Sequence, residues 1–214
     1  ILTVSAMLSA APCVSAAEAY DVYSYDRWGE AVPSQAGYTA ERSVSGAALG
    51  TEDFSGLSDI FRTDSGIFYI VDSGNNRIVV ANEKLDKVIR IYDSFEYNGT
   101  SLSLESPQSI FVSENGKLYI ADTENSRILV SDENGKVELL IEKPESELYS
   151  AVTFWPRRII ADDAGYIYAV VDNITSGSVM FDSSGKFSGF YGANRVQQTS
   201  EVIKNYFWKL FANE

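Results

Sequence analysis

From about residue 57 the chain is written in apolar runs too short for helices, each closed by a polar turn that carries Gly. In one stretch the runs are Ser109–Val112, Leu118–Ala121, Arg127–Ser131 and Val137–Ile141, four to five residues apiece. Between them lie Ser113-Glu114-Asn115-Gly116, a loop at Asp122, and Asp132-Glu133-Asn134-Gly135. Asn-Gly flanked by apolar or alternating residues predicts a tight primed hairpin, because such a turn requires positive φ. Turns of the same make, Thr63-Asp64-Ser65-Gly66, Asp162-Asp163-Ala164-Gly165 and Asp182-Ser183-Ser184-Gly185, occur on either side. Four short antiparallel strands per unit, with no helical period until the end, are what this spacing predicts.

The units repeat. Phe68-Tyr-Ile-Val-Asp72-Ser-Gly-Asn75-Asn-Arg77-Ile78 returns as Leu118-Tyr-Ile-Ala-Asp122-Thr-Glu-Asn125-Ser-Arg127-Ile128, with both Asp and Arg fifty positions on. A third copy keeps Tyr168-Ala-Val-Val-Asp172 and loses the Asn and Arg, which become Thr175-Ser-Gly-Ser178. A fixed period of this size belongs to a solenoid or propeller, and four strands per period make it an all-β propeller of four-stranded antiparallel blades. Pro107-Gln108 and Pro156-Arg157 open two blades and Leu57-Ser58 opens the first without Pro, so innermost strands start there. Three blades over 50–196 are expected, preceded at 18–49 by an outer hairpin (Val22 to Val32) and a Ser- and Gly-rich connection. Since propellers typically have 4 to 8 blades, the expected parent is a ring of about six, of which this chain supplies part.

Both ends read differently. Residues 1–17 are uncharged and apolar, with Val14-Ser15-Ala16 placing small residues before a cut, which predicts a secretory signal whose front is incomplete. Cys13 as a lipid-attachment site is the weaker reading because Pro12 precedes it. The expected location is secreted or cell-surface, and no run reaches the ~20 apolar residues of a membrane span. Over 197–214, Val202, Ile203, Tyr206, Phe207, Leu210 and Phe211 recur at three and four, predicting an amphipathic helix that docks on the propeller or a further domain.

Composition narrows function more than it defines it. The net charge of −13 lies wholly beyond residue 17 and argues against nucleic acid and anionic membranes as partners. It leaves cations, carbohydrates, peptides and proteins open as ligands. There is no His, and Cys13 is the only Cys, so triads built on His and His-ligated zinc are absent from this stretch of chain. The sequons Asn98-Gly99-Thr100 and Asn173-Ile174-Thr175 are expected to be idle if the source is bacterial.

The motif Tyr-[Ile/Val]-x-Asp-x-x-Asn-x-Arg-Ile, with Gly turns and a Pro opening the next blade, resembles the NHL repeat family of β-propellers. The resemblance is close in the first two blades and degenerate in the third. It implies that Asp72, Asn75 and Arg77, their counterparts Asp122, Asn125 and Arg127, and Asp172 are scaffold, and that the chain binds protein, peptide or carbohydrate. A carboxylate facing a guanidinium at a strand end fixes a loop through paired charge-assisted hydrogen bonds, which supports the same role. No cofactor is expected. Calcium in the Asp72–Asn76 loop is the alternative, against which stands the lack of alternating oxygen ligands. Ligand-binding candidates cluster at the blade entrances: Asp59, Gln108, Trp155, Arg157 and Arg158, since Arg clamps an anion bidentately and Trp stacks on a sugar or cation. The rival function is a divalent-metal-dependent hydrolase or lyase resembling gluconolactonases or peptide-amidating lyases, for which two adjacent arginines and the absence of imidazole are unfavourable.

Overall fold

The computed structural model describes residues 23–34, 41–149 and 151–192. The expected signal at 1–17 and the helix at 197–214 lie outside them. Contacts divide the chain into two compact units, Ile1–Val44 and Ser45–Glu214. In the first, strands β1 (Tyr23–Tyr25) and β2 (Ala31–Pro33) form an antiparallel hairpin. Its turn is closed by the Gly29 N–H on the Asp26 carbonyl at 3.0 Å, while the Asp26 carboxylate accepts the N–H groups of Trp28 and Glu30.

The second unit contains three four-stranded antiparallel sheets. Blade 1 is β3 (Leu57–Arg62), β4 (Phe68–Asp72), β5 (Arg77–Ala81) and β6 (Val88–Tyr92). An extra hairpin follows, β7 (Ser94–Tyr97) with β8 (Thr100–Ser103). Blade 2 is β9 (Pro107–Val112), β10 (Leu118–Asp122), β11 (Arg127–Ser131) and β12 (Val137–Ile141). Blade 3 is β13 (Pro156–Ala161), β14 (Ile167–Val171), β15 (Ser178–Phe181) and β16 (Phe187–Tyr191). The first strands β3, β9 and β13 lie against one another.

Strand periodicity explains the packing. On β10, Leu118 and Ile120 point into a core shared with Val71, Ile78 and Val80 of blade 1. The alternate residues Tyr119 and Ala121 point into a second core, with Ile167, Ala169 and Val171 of blade 3. Blade 2 is therefore apolar on both faces, and every residue of Leu118–Asp122 is buried. Each fully buried aliphatic side chain contributes roughly 1.5–3 kcal/mol, so these two inter-blade cores dominate the stability of the unit.

The Gly turns differ in type from the primed turns predicted. At Gly66, Gly116, Gly135, Gly165 and Gly185 only the Gly has positive φ, 80° to 87°, and its N–H bonds the carbonyl three residues back. Asn115 and Asn134 keep negative φ, so each is a three-residue loop in which a type I turn precedes a left-handed Gly. A true two-residue primed turn does occur, at Asn98-Gly99 (φ 50° and 79°), where it closes the β7–β8 hairpin.

Candidate functional site

At the ends where the first strands begin, the repeat motif forms two nearly identical knots. The Asp72 carboxylate, fully buried, accepts the Ser55 N–H at 2.7 Å on Oδ1, and Asn75 Nδ2 and Arg77 Nε, both at 2.8 Å, on Oδ2. Asp122 accepts the Glu105 N–H at 2.8 Å, Asn125 Nδ2 at 2.9 Å and Arg127 Nε at 2.7 Å. The remaining donors grip the incoming connection. Arg77 Nη2 bonds the Glu52 carbonyl and Asn75 that of Asp53, while Arg127 Nη2 and Asn125 both bond the Ser103 carbonyl. Each knot ties the segment entering a blade to the turn between its second and third strands.

The residue after the Asp was not singled out from the sequence, yet it stitches one blade to the next. Ser73 Oγ donates to the Pro107 carbonyl and Thr123 Oγ1 to the Pro156 carbonyl, the latter at 2.5 Å. The signal was available in the aligned copies, both of which place a hydroxyl there.

The third blade departs from the spacing. Leu57 pairs with Asp72 and Pro107 with Asp122, whereas Pro156 pairs with Val171. Val171 thus takes the place of the buried Asp, and Asp172 falls one residue beyond it. Its side chain stays 34% exposed and meets Arg157, from the first strand of its own blade, at 2.9 Å (Nε) and 2.8 Å (Nη2). The hydrogen bond to Asp172 raises the Arg157 pKa above the ordinary guanidinium value.

Of the other entrance candidates, Asp59 and Arg158 make side-chain contacts between blades. Asp59 Oδ2 accepts Ser109 Oγ at 2.6 Å and the Ile110 N–H at 3.2 Å. Arg158, exposed, donates Nη1 to the Gln108 carbonyl at 2.8 Å and Nη2 to the Ser58 carbonyl at 3.1 Å, so one guanidinium spans all three first strands. The Gln108 side chain itself makes long contacts, 3.4 and 3.5 Å, to Ser106. Trp155 is half-buried and its carbonyl accepts the Asp172 N–H. In the Asp72 loop the carboxylate oxygens face N–H donors, which is not the all-oxygen surrounding calcium takes. Among the described residues no group of three His, Cys, Asp or Glu is placed to hold a metal ion.

The concave surface lies at the opposite ends of the same strands. A cleft of about 1450 Å³ runs across all three blades, bounded by the turns at 62–67, 112–117 and 161–165. None of the five entrance candidates lines it. Its floor is apolar, with Phe61 against Phe111 edge-on at 5.4 Å and Phe111 against Tyr119 at 5.9 Å. Burial pushes the nearby Tyr69 phenol above its ordinary value. Its rim carries Asp64, Glu114, Glu133, Glu138, Asp162 and Asp163 against two cations, Arg62 and Lys117.

Residues 104–130 match the NHL repeat. No curated protein sequence matches the chain. Among solved structures, the chain is similar to hydrazine synthase of Kuenenia stuttgartiensis at 16% identity and TM-score 0.49, covering 73% of this chain and 40% of that one. It is similar to virginiamycin B lyase from Staphylococcus aureus at 13% identity and TM-score 0.43, covering 81% and 49% respectively. The WD40 β-propeller domain of Doa1 follows at 19% identity and TM-score 0.40, over 57% of this chain and 37% of that one. The chain thus spans about half or less of the length of these structures. With four-stranded blades, an Asp-x-x-Asn-x-Arg knot in two of them and a family match across the second, this chain carries an NHL repeat in a β-propeller-type fold.

Proposed function

We propose that this chain is part of a secreted or cell-surface β-propeller binding module whose protein, peptide or carbohydrate ligand lies in the cleft across the three blades. The cleft carries this reading. It is concave, it joins an apolar aromatic floor to a polar rim, and it is built from turns, which vary without disturbing the blades. The entrance residues support it indirectly, since Asp59, Arg157 and Arg158 already spend hydrogen bonds holding strands and blades together. Replacing Phe111 by Ser, with Phe61 and Tyr119 kept, removes the central ring of the aromatic floor and tests the assignment by isothermal titration against panels of peptides and oligosaccharides. A ligand of the native chain is expected to lose at least tenfold in affinity on this change while the fold, followed by circular dichroism, persists. Undiminished binding moves the site elsewhere. Turnover of a lactone or peptide substrate that a chelator abolishes favours a hydrolase or lyase instead.

A further inference from the structure

The three turns between first and second strands share a feature with no structural duty. Asp64, Glu114 and Asp163 each occupy the second position of the turn, are exposed, and carry no hydrogen-bond or ion-pair partner among the described residues. Glu133, from the turn between β11 and β12, is likewise exposed; its carboxylate has no partner among the described residues, while Arg90 donates to its carbonyl at 2.5 Å. The cations at the cleft are already committed: Arg62 to Glu83 at 3.1 Å and Lys117 to Glu138 at 2.7 Å. The hydrogen bond that Lys117 donates to Glu138 raises the Lys117 pKa. The cleft therefore presents uncompensated negative charge around an aromatic floor.

Resting on the binding-module reading, we infer that this cleft takes a basic peptide segment, with Lys or Arg heads at the Asp64, Glu114, Glu133 and Asp163 carboxylates and their aliphatic stems on Phe61, Phe111 and Tyr119. Three features select this occupant. Long cationic side chains bury their stems on apolar surface while their heads stay wet. The volume of about 1450 Å³ exceeds the ~300–1,000 Å³ of small-molecule pockets and suits several residues of extended chain. The carboxylates come from three separate blades, so a linear ligand meets them in succession, and the charge excludes acidic segments.

Fluorescence anisotropy on the full chain, with labelled penta-lysine and, separately, labelled maltohexaose, tests this. Penta-lysine is expected to bind, and Glu114→Gln with Asp163→Asn to weaken it at least tenfold at low salt. The charge-matched control Glu145→Gln with Glu147→Gln, two exposed residues outside the cleft, is expected to change it less than twofold. Thermal melts of both double variants verify folding, since all four positions are exposed. Equal loss in both variants means general attraction to an acidic protein and overturns the inference, as does failure of penta-lysine to bind. Binding of maltohexaose alone, lost on Phe111→Ser, overturns the basic-peptide inference and keeps the module reading. Binding of neither probe overturns the inference and, with the peptide and glycan panels also silent, the module reading with it.

Discussion

Asp122 and Asp172 show how much a position in the fold decides about the same side chain. Asp122 is fully buried and Arg127 nearly so, and the carboxylate relies on that guanidinium and two N–H donors to offset its desolvation. Arg127→Ala therefore leaves a buried charge with one partner fewer and is expected to cost about 3 kcal/mol in chemical denaturation. Arg157→Ala removes an equally short contact to Asp172, but the two side chains are 38% and 34% exposed. Water replaces the lost partner there, so the expected cost is about 1 kcal/mol or less. Equal losses in the two variants would show that burial does not set the worth of these pairs. The sequence made the first pair legible, because Asp and Arg recur together with fixed spacing. Asp172 keeps the fifty-residue step from Asp122, but Tyr168 and Pro156 fall forty-nine after Tyr119 and Pro107. The third copy therefore carries one extra residue before its Asp, as the pairing of Pro156 with Val171 places it. One extra residue carries the Asp past the buried strand end, and a count from Asp to Asp alone misses what the Tyr-to-Asp distance records.

At the scale of hairpins, strand limits were legible and turn geometry was not. Arg127–Ser131 and Val137–Ile141 are strands over the stretches the apolar pattern marked. Asn-Gly was the wrong indicator of turn type at Asn115-Gly116 and Asn134-Gly135, since the ladder there needs one left-handed residue rather than two. At Asn98-Gly99 the same dipeptide does what the rule says and closes β7 on β8, a hairpin hidden by its polar sequence. Gly99→Ala places a side chain at φ 79° with open space around it, so the cost is backbone strain alone. It is expected to be about 1 kcal/mol, read as a lower thermal midpoint, and an unchanged midpoint would mean that the hairpin adds nothing to the fold. The turns at Asp132 and Asp182 give a pH signature. The Asp132 carboxyl lies below its ordinary 3.8 chiefly because it accepts the Lys136 N–H, and Asp182 does so chiefly through the Ser184 hydroxyl. A lowered carboxylate pKa stabilises the fold above the ordinary value, and that contribution disappears as pH falls through the lowered one. The stability gap between wild type and Asp132→Asn should therefore be larger at pH 7 than at pH 2.5. A gap that widens on acidification would reverse the sign and refute the assignment.

Over the blades together, the repeat made architecture readable and left the candidate site obscure. Unusual side chains gather at the strand entrances, and in the sequence they stand out as the binding candidates. The cleft is made of turn residues that look like ordinary solvated turns until three blades set them side by side. The same arrangement predicts a gradient of stability. In repeat architectures each unit is held mainly by its neighbours, so a unit with two partners opens less readily than a unit with one. Blade 2 is buried on both faces, whereas blade 1 exposes Ile89 and Ile91 and blade 3 exposes Ile160 and Val170. Hydrogen exchange on the full chain should find the amides of Ile120 and Leu129 slowest, at least tenfold slower than those of β6 and β16. Indistinguishable exchange across the three sheets would sink this expectation and identify one cooperative unit in which the inter-blade cores are no weaker than the blades. Penta-lysine, by bridging turns of all three blades, should narrow the gradient by slowing exchange in blades 1 and 3 more than in blade 2. Slowing confined to a single blade would place the ligand on that blade's turns alone.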